Sequence, residues 1–335
     1  LLTTKTDNFT GGSGDDIFTA DITTMGVADS LAGGAGSDTL NFVGTTAVAL
    51  PASNMTGIET INIRQLGAAL SSTDLSLAPG VTNVNLDRSN DAATFTNMSA
   101  GGVYGVIGNG SVANNGNLAF GYNGTTGNTA AVINISDGVI GTTQVVTLTG
   151  TKLTSVAINS SGATNVIDNF TDAATNKALT ITANSKLTMG TINGGAARAA
   201  LTLDGTGGKL TTGAVTGAGA VSKTIDVKGT VTTNLAADVA PTITISGSGA
   251  VTLGTLNNLS KTITSTQTGG SLTAQAGTLV SQKFTSGAGD DVITVPALTL
   301  TTGSIAGGAG ADTLNITSNV GNINTLTLSA KYTGF

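Results

Sequence analysis

The sequence predicts an all-β chain wound as a parallel β-solenoid or β-roll, with coils of about 21 residues. Three observations predict it. Short strands alternating apolar and small polar residues recur every 18 to 24 positions through the middle of the chain. Two sets of Gly/Asp turns, at Asp7 to Asn41 and Gln282 to Asn315, repeat at nearly the same period. Gly supplies 48 of 335 residues while aromatics are 3% and charged residues 10%, which suits slender coils lined with Val, Ile, Leu and Thr better than a large globular core.

In chain order, the first set contains four pieces of one shape: Asp7-Asn8-Phe9-Thr10, Asp16-Ile17-Phe18-Thr19, Asp29-Ser30-Leu31-Ala32 and Asp38-Thr39-Leu40-Asn41. Their aspartates are spaced nine, thirteen and nine, so Asp29 follows Asp7 at the same interval as Asp38 follows Asp16, one coil on. Glycine turns precede two of them, giving GGSGDDIFT and GGAGSDTLN, both fits to the calcium-binding nonapeptide G-G-x-G-x-D-x-U-x. In a parallel roll the Gly11 to Asp16 turn then stacks against the Gly33 to Asp38 turn. Glycines admit the positive-φ turn and aim carbonyl oxygens into the gap, while aspartates add the hard anionic oxygens that Ca²⁺ prefers. The ligands expected here are the turn residues Gly11, Ser13, Gly33 and Ala35 with the carboxylates of Asp7, Asp15, Asp16, Asp29 and Asp38.

Beyond them, Gly57 to Ile63 and Val81 to Leu86 read as alternating strands, Val84 answering Ile61 one coil further on. Residues from about 87 to 130, rich in Asn and Gly (Gly108-Asn109-Gly110, Asn114 to Asn117, Asn123-Gly124), read as irregular loops. Alternation resumes at Ile133-Asn134-Ile135, Val146-Thr147-Leu148 and Val156-Ala157-Ile158. Strands starting at Leu179, Leu201, Ile225, Ile243 and Ile263 then follow one another at near-regular intervals, and Phe284 continues the series after Ile263. A second short strand lies inside most intervals, as at Leu187, Leu210, Val231, Val251 and Leu272. The expected organisation is a β-roll unit at 1–65, a metal-free solenoid at 66–280 and a second β-roll unit at 281–335.

The second unit repeats the layout. Lys283-Phe284, Asp291-Val292-Ile293, Ser304-Ile305 and Asp312-Thr313-Leu314 are spaced so that their pieces lie nine, twelve and nine apart, behind the turns SGAGD (Ser286 to Asp290) and GGAGA (Gly307 to Ala311). Its expected ligands are Ser286, Ala288, Gly307 and Ala309 with Asp290, Asp291 and Asp312. Gln282 and Gly303 stand where the first unit has Asp7 and Asp29, so one firm site is expected here and a second only in the first unit. Asn322 to Leu328 loosely echoes Gly57 to Ile63. In both units Phe9, Phe18, Leu31, Leu40, Phe284, Ile293, Ile305 and Leu314 are the expected core residues.

The GDD-type turn, the linker, and GGAGxDTLN followed by GIETINI resemble calcium-dependent surface-layer proteins of Gram-negative bacteria, which are of the RTX (repeats-in-toxin) type. The resemblance covers about residues 7–63 and 282–315; the stretch between is similar in character only. It implies export by type I secretion without an N-terminal signal, folding on extracellular calcium, and self-assembly into a lattice on the cell surface. Attachment to a surface polysaccharide, through a region outside this segment, is a further implied partner. The chain starts without Met and ends at Lys331 to Phe335 without a recognisable secretion segment, as expected of part of a longer protein.

Other classes fit less well. A net charge of −6 with 13 scattered basic residues argues against nucleic acid, and no apolar run is long enough to span a bilayer. The absence of Cys and His removes disulfides, thiolate chemistry and Ser-His-Asp arrangements. Solenoid polysaccharide-active enzymes need a base and cations grouped on one face, whereas the arginines are only Arg64, Arg88 and Arg198, and Asp168 with Asp172 and Asp87-Arg88 with Asp91 read as solvated loop charges. The expectation is a non-enzymatic structural protein, with the stalk of a secreted adhesin as the alternative.

Overall fold

The computed structural model describes residues 1–51, 55–99, 101–110, 116–122, 130–173, 175–194, 198–216, 222–296, 300, 302–317 and 330–335. It is all-β, built of parallel coils stacked about 22 residues apart. Two compact units divide the chain, Leu1–Thr175 and Asn176–Phe335.

In the first unit one column of strands runs through Ile17–Asp21, Thr39–Gly44, Thr60–Gln65, Asn83–Asp87, Val103–Ile107, Ala130–Ser136 and Ser155–Ser161, each parallel to the next. A second column takes Thr73–Asp74, Ala93–Met98, Leu118–Tyr122, Ile140–Thr149 and Asn165–Thr171. A small separate sheet joins Asn8–Thr10, Ser30–Ala32 and Met55–Thr56. Alternation fixes the register, because a slip of one residue would turn every apolar side chain outward. Leu40, Ile61, Val84, Tyr104, Ile133 and Ile158 therefore stack as one buried inner row. Burying each contributes roughly 1.5–3 kcal/mol. On the outer face the same register lines up Asn41, Asn62 and Asn85, with Asn62 Nδ2 donating to Asn41 Oδ1 at 2.9 Å and Asn85 Nδ2 to Asn62 Oδ1 at 2.8 Å.

The second unit repeats the scheme. One column runs from Ala178–Ala183 through Ala200–Ala214, Ser222–Asn234, Thr242–Gly247, Thr262–Ser265, Lys283–Thr285 and Ser304–Ala306 to Tyr332–Thr333. The other includes Leu187–Asn193, Ala250–Thr255, Leu272–Gln275, Val292–Val295 and Thr313–Ile316. Strands Ala200–Ala214 and Ser222–Asn234 are long enough to serve both columns.

The structure departs from the sequence reading in four places, one of them Leu314, expected in the core and only half-buried. Three strands, Ala93–Met98, Val103–Ile107 and Leu118–Tyr122, pass through the stretch read as irregular loops. Their inward Phe95, Tyr104, Phe120 and Tyr122 form an aromatic cluster with ring centroids 4.1 to 6.4 Å apart, so bulk replaces the Ile/Val alternation that marks the other strands. Phe9, expected in the core, is 36% exposed, since its strand pairs on one side only, with Ser30–Ala32. Asp172, read as a solvated charge, is buried, whereas Asp87 and Arg88 do pair at the surface. The Asn114-Asn115, Asn123-Gly124 and Asn322 to Leu328 motifs lie outside the described residues.

Candidate metal centre

Strands Ile17–Asp21 and Thr39–Gly44 pair with Ile17 opposite Thr39, so the two preceding turns stack with Asp16 against Asp38 and Asp15 against Ser37. Strands Val292–Val295 and Thr313–Ile316 do the same for Asp291 against Asp312 and Asp290 against Ala311. The two turn pairs share their hydrogen bonds. Asp38 Oδ1 accepts the Asp16 N–H at 2.8 Å, and Asp312 Oδ1 accepts the Asp291 N–H at 2.9 Å. Asp15 Oδ1 takes the Ser37 N–H at 2.8 Å, and Asp290 Oδ1 the Ala311 N–H at 2.9 Å. Backbone rungs complete the stack, from Ala35 N to Gly12 O at 3.1 Å and from Ala309 N to Gly287 O at 2.9 Å, with Ala288 bridged to Ala309.

Once these bonds are made, the inner aspartates divide into two kinds. Asp16 Oδ2 accepts the Gly12 N–H at 2.7 Å, and Asp291 Oδ2 accepts the Ser286 hydroxyl at 2.6 Å while its Oδ1 takes the Leu272 N–H. By contrast, Asp38 Oδ2 and Asp312 Oδ2 are buried without a hydrogen-bond partner. A buried carboxylate oxygen with no donor is costly, and a cation relieves that cost. Burial, helped by the nearby Asp312 charge, raises the Asp291 pKa above 3.8 against the opposing pull of Ser286 and Leu272.

Each partnerless oxygen faces a glycine cradle. A Cβ on Gly33 would collide with both Asp38 Oδ2 and the Gly57 carbonyl oxygen; one on Gly307 would collide with Asp312 Oδ2 and the Gly334 carbonyl oxygen. Gly11 brings Asp16 Oδ2 and the Gly33 carbonyl together in the same way. Gly34 (φ +105°) and Gly36 (φ +129°), matched by Gly308 (φ +95°) and Gly310 (φ +136°), hold the turns in the left-handed region that side chains resist. Carboxylate and backbone carbonyl oxygens are the donor chemistry of a hard divalent cation, so the residues present fit calcium. Among the described residues no three acidic side chains gather round one point, so a cation here would be held chiefly by carbonyls with one free carboxylate oxygen per turn pair.

The remaining expected ligands are placed elsewhere. Asp29 uses Oδ1 on the Asp7 N–H at 2.8 Å and Oδ2 on the Gly26 N–H at 2.7 Å, while Asp7 accepts from Thr3 N and Oγ1. These two carboxylates are thus already occupied by local hydrogen bonds beside the small sheet of Asn8–Thr10 and Ser30–Ala32. Ser13 is exposed. The sequence reading missed Gly57 and Gly334, which carry the converging carbonyls, and Glu59, whose Oε2 accepts the Asp38 N–H at 2.7 Å and extends the carboxylate ladder by one coil. The one signal for Glu59 was its place a full coil after Asp38, directly before a strand.

Fold and turns together define a parallel β-solenoid bearing two matched pairs of Gly/Asp turns. No family model matches the chain, and no curated protein matches it. Among the described residues no helix is long and apolar enough to cross a membrane.

Proposed function

We propose that this chain is a non-enzymatic structural protein that completes its folding on extracellular calcium, after export by type I secretion, and assembles with copies of itself into a lattice on the bacterial cell surface. The observation that carries this reading is the repeated cradle in which a buried, partnerless carboxylate oxygen, Asp38 Oδ2 or Asp312 Oδ2, meets a carbonyl of the next coil. The resemblance of GGSGDD and GGAGSDTLN to surface-layer proteins supports the biological setting.

Calcium bound there supplies the positive charge that the free oxygens lack. The chain's own residues do the rest. Asp38 and Asp312 hold adjacent turns in register through Oδ1, Asp15 and Asp290 cap the facing turns, and the glycines keep Cβ atoms out of the gap. Without counter-charge, turn ordering costs about 1–2 kcal/mol per residue in backbone entropy against the desolvation of the carboxylates. Binding to the folded state alone adds its free energy to folding. A segment that is loose at low calcium and rigid outside the cell suits passage through a secretion channel.

Purified chain dialysed from chelator into millimolar calcium tests the assembly by negative-stain microscopy. Two-dimensional sheets are expected. Calcium-ordered particles that stay single fit the adhesin stalk instead, and the absence of any calcium response removes both readings.

A further inference from the structure

Three ionisable side chains are sealed inside the second unit, among inward positions that are mostly apolar. Arg198, Lys223 and Asp238 are 0%, 1% and 0% exposed. Strand Ser222–Asn234 turns Lys223, Ile225 and Val227 inward in succession, so the lysine occupies a core position, paired in register with Ile243. Its Nζ contacts Asp238 Oδ2. The carboxyl is held from the other side, with Oδ1 accepting the Ala240 N–H at 3.0 Å, and the Asp238 N–H is itself fixed on Leu235 O at 2.9 Å. The Arg198 guanidinium donates to Gly194 O and Thr216 O, both at 3.3 Å, and lies close enough to repel a charge on Lys223.

As an ion pair this arrangement is expensive, because both charges leave water and a second cation is buried near the first. Burial first, and Arg198 second, push the Lys223 amine down to about 8. Proton transfer inside the pair gives an uncharged amine beside an uncharged acid, two neutral partners that the dry core accommodates better. Those are also the reactants of amide formation, held in contact with water excluded and the acceptor oxygen already hydrogen-bonded.

We propose that Lys223 and Asp238 join in an intramolecular isopeptide bond. Lys223 passes one ammonium proton to Asp238 Oδ2, and the freed Nζ lone pair attacks Cγ. Charge developing on Oδ1 is stabilised by the Ala240 N–H. A second proton moves from Nζ to Oδ2, the Cγ–Oδ2 bond breaks, and Oδ2 leaves as water. The product is an Nζ–Cγ amide whose oxygen is Oδ1; no oxidant or reductant is consumed. The bond closes a covalent loop within one coil, which resists mechanical and thermal opening in a way that no ion pair does.

Intact-mass measurement of the denatured full-length chain, followed by proteolysis and fragment sequencing, tests this. The wild-type chain is expected at one water below its sequence mass, with a branched peptide linking Lys223 to Asp238, and Lys223→Arg and Asp238→Ala at full sequence mass. Wild-type chain at full mass, yielding separate linear peptides for the two residues, overturns the proposal. So does a water loss that persists in Lys223→Arg, which would place the dehydration elsewhere. The wild-type measurement decides alone, so a variant that fails to fold leaves the test intact.

Discussion

Replacing Gly33 by alanine probes the cradle without removing a charge. A Cβ there falls closer than 3.0 Å to Gly57 O, to Asp38 Oδ2 and to Asp38 Cβ. The backbone at Gly33 is not in the left-handed region, so the cost is steric. Asp38 cannot withdraw without breaking the rung its Oδ1 makes to the Asp16 N–H, nor the Gly57 carbonyl without moving Thr56, whose carbonyl accepts the Gly33 N–H at 2.9 Å, so the coils must part. Inserting a methyl group into a tight site costs about 1–3 kcal/mol, and crowding on three atoms puts this substitution near ~3 kcal/mol. Gly12, in the facing turn, is the control: a Cβ there meets nothing within 4 Å, and Gly12→Ala is expected to stay within ~0.5 kcal/mol of wild type. On the proposed calcium-dependent folding, calcium at a hundredfold its Kd is expected to stabilise the wild type by a further ~2.7 kcal/mol that Gly33→Ala should forfeit. Urea unfolding followed by far-UV circular dichroism, in calcium and in chelator, reads both quantities. A Gly33→Ala variant that loses the same amount in both conditions refutes the metal cradle; one indistinguishable from Gly12→Ala refutes the packing itself.

Other substitutions separate the roles of the carboxylates. Asp38→Asn and Asp312→Asn, tested by calcium titration, should lower the calcium-dependent gain while leaving stability in chelator unchanged or raised, because the partnerless oxygen is the atom replaced. Asp29→Asn should cost about 1–3 kcal/mol equally with and without calcium, since both of its oxygens already serve backbone N–H groups. Glu59→Ala should cost a similar ~1–3 kcal/mol in urea unfolding by leaving the Asp38 N–H unpaired. Asn97 first, and Ser76 next, hold the Asp74 pKa below its ordinary 3.8. A carboxylate with a lowered folded-state pKa contributes stability that is full above 3.8 and disappears as pH falls through the folded value. Asp74→Asn should therefore be less stable than wild type at neutral pH and equal to it in strong acid; a gap undiminished well below 3.8 contradicts this.

The coil period was legible because most inward positions are Leu, Ile or Val and recur at one phase. Ile61 does face Val84, Ile263 does face Phe284, and Leu187 does face Leu210. The loop-like stretch misled because Asn-Gly pairs between its strands outweighed inner rows made of Phe and Tyr. In the turns, the stacking of Asp16 against Asp38 and of Asp291 against Asp312 could be read from spacing alone. Which oxygen each backbone N–H would take could not, because that depends on rotamers and on carbonyls such as Gly57 and Gly334 that carry no side-chain signal. Glu59 took an aspartate's rung outside any nonapeptide. Lys223 and Asp238 were not singled out in the sequence, because the strand reads as starting at Ile225 and Asp238 lies in a loop with no periodicity to mark it.

Calorimetric titration of the chelator-treated chain with calcium, with circular dichroism recorded on the same samples, tests the central claim most directly. Saturable binding at both turn pairs is expected, accompanied by a gain of β signal and a raised melting temperature, with magnesium failing to substitute at equal concentration. No heat of binding, with spectra and melting curves that superimpose in calcium and chelator, would contradict it.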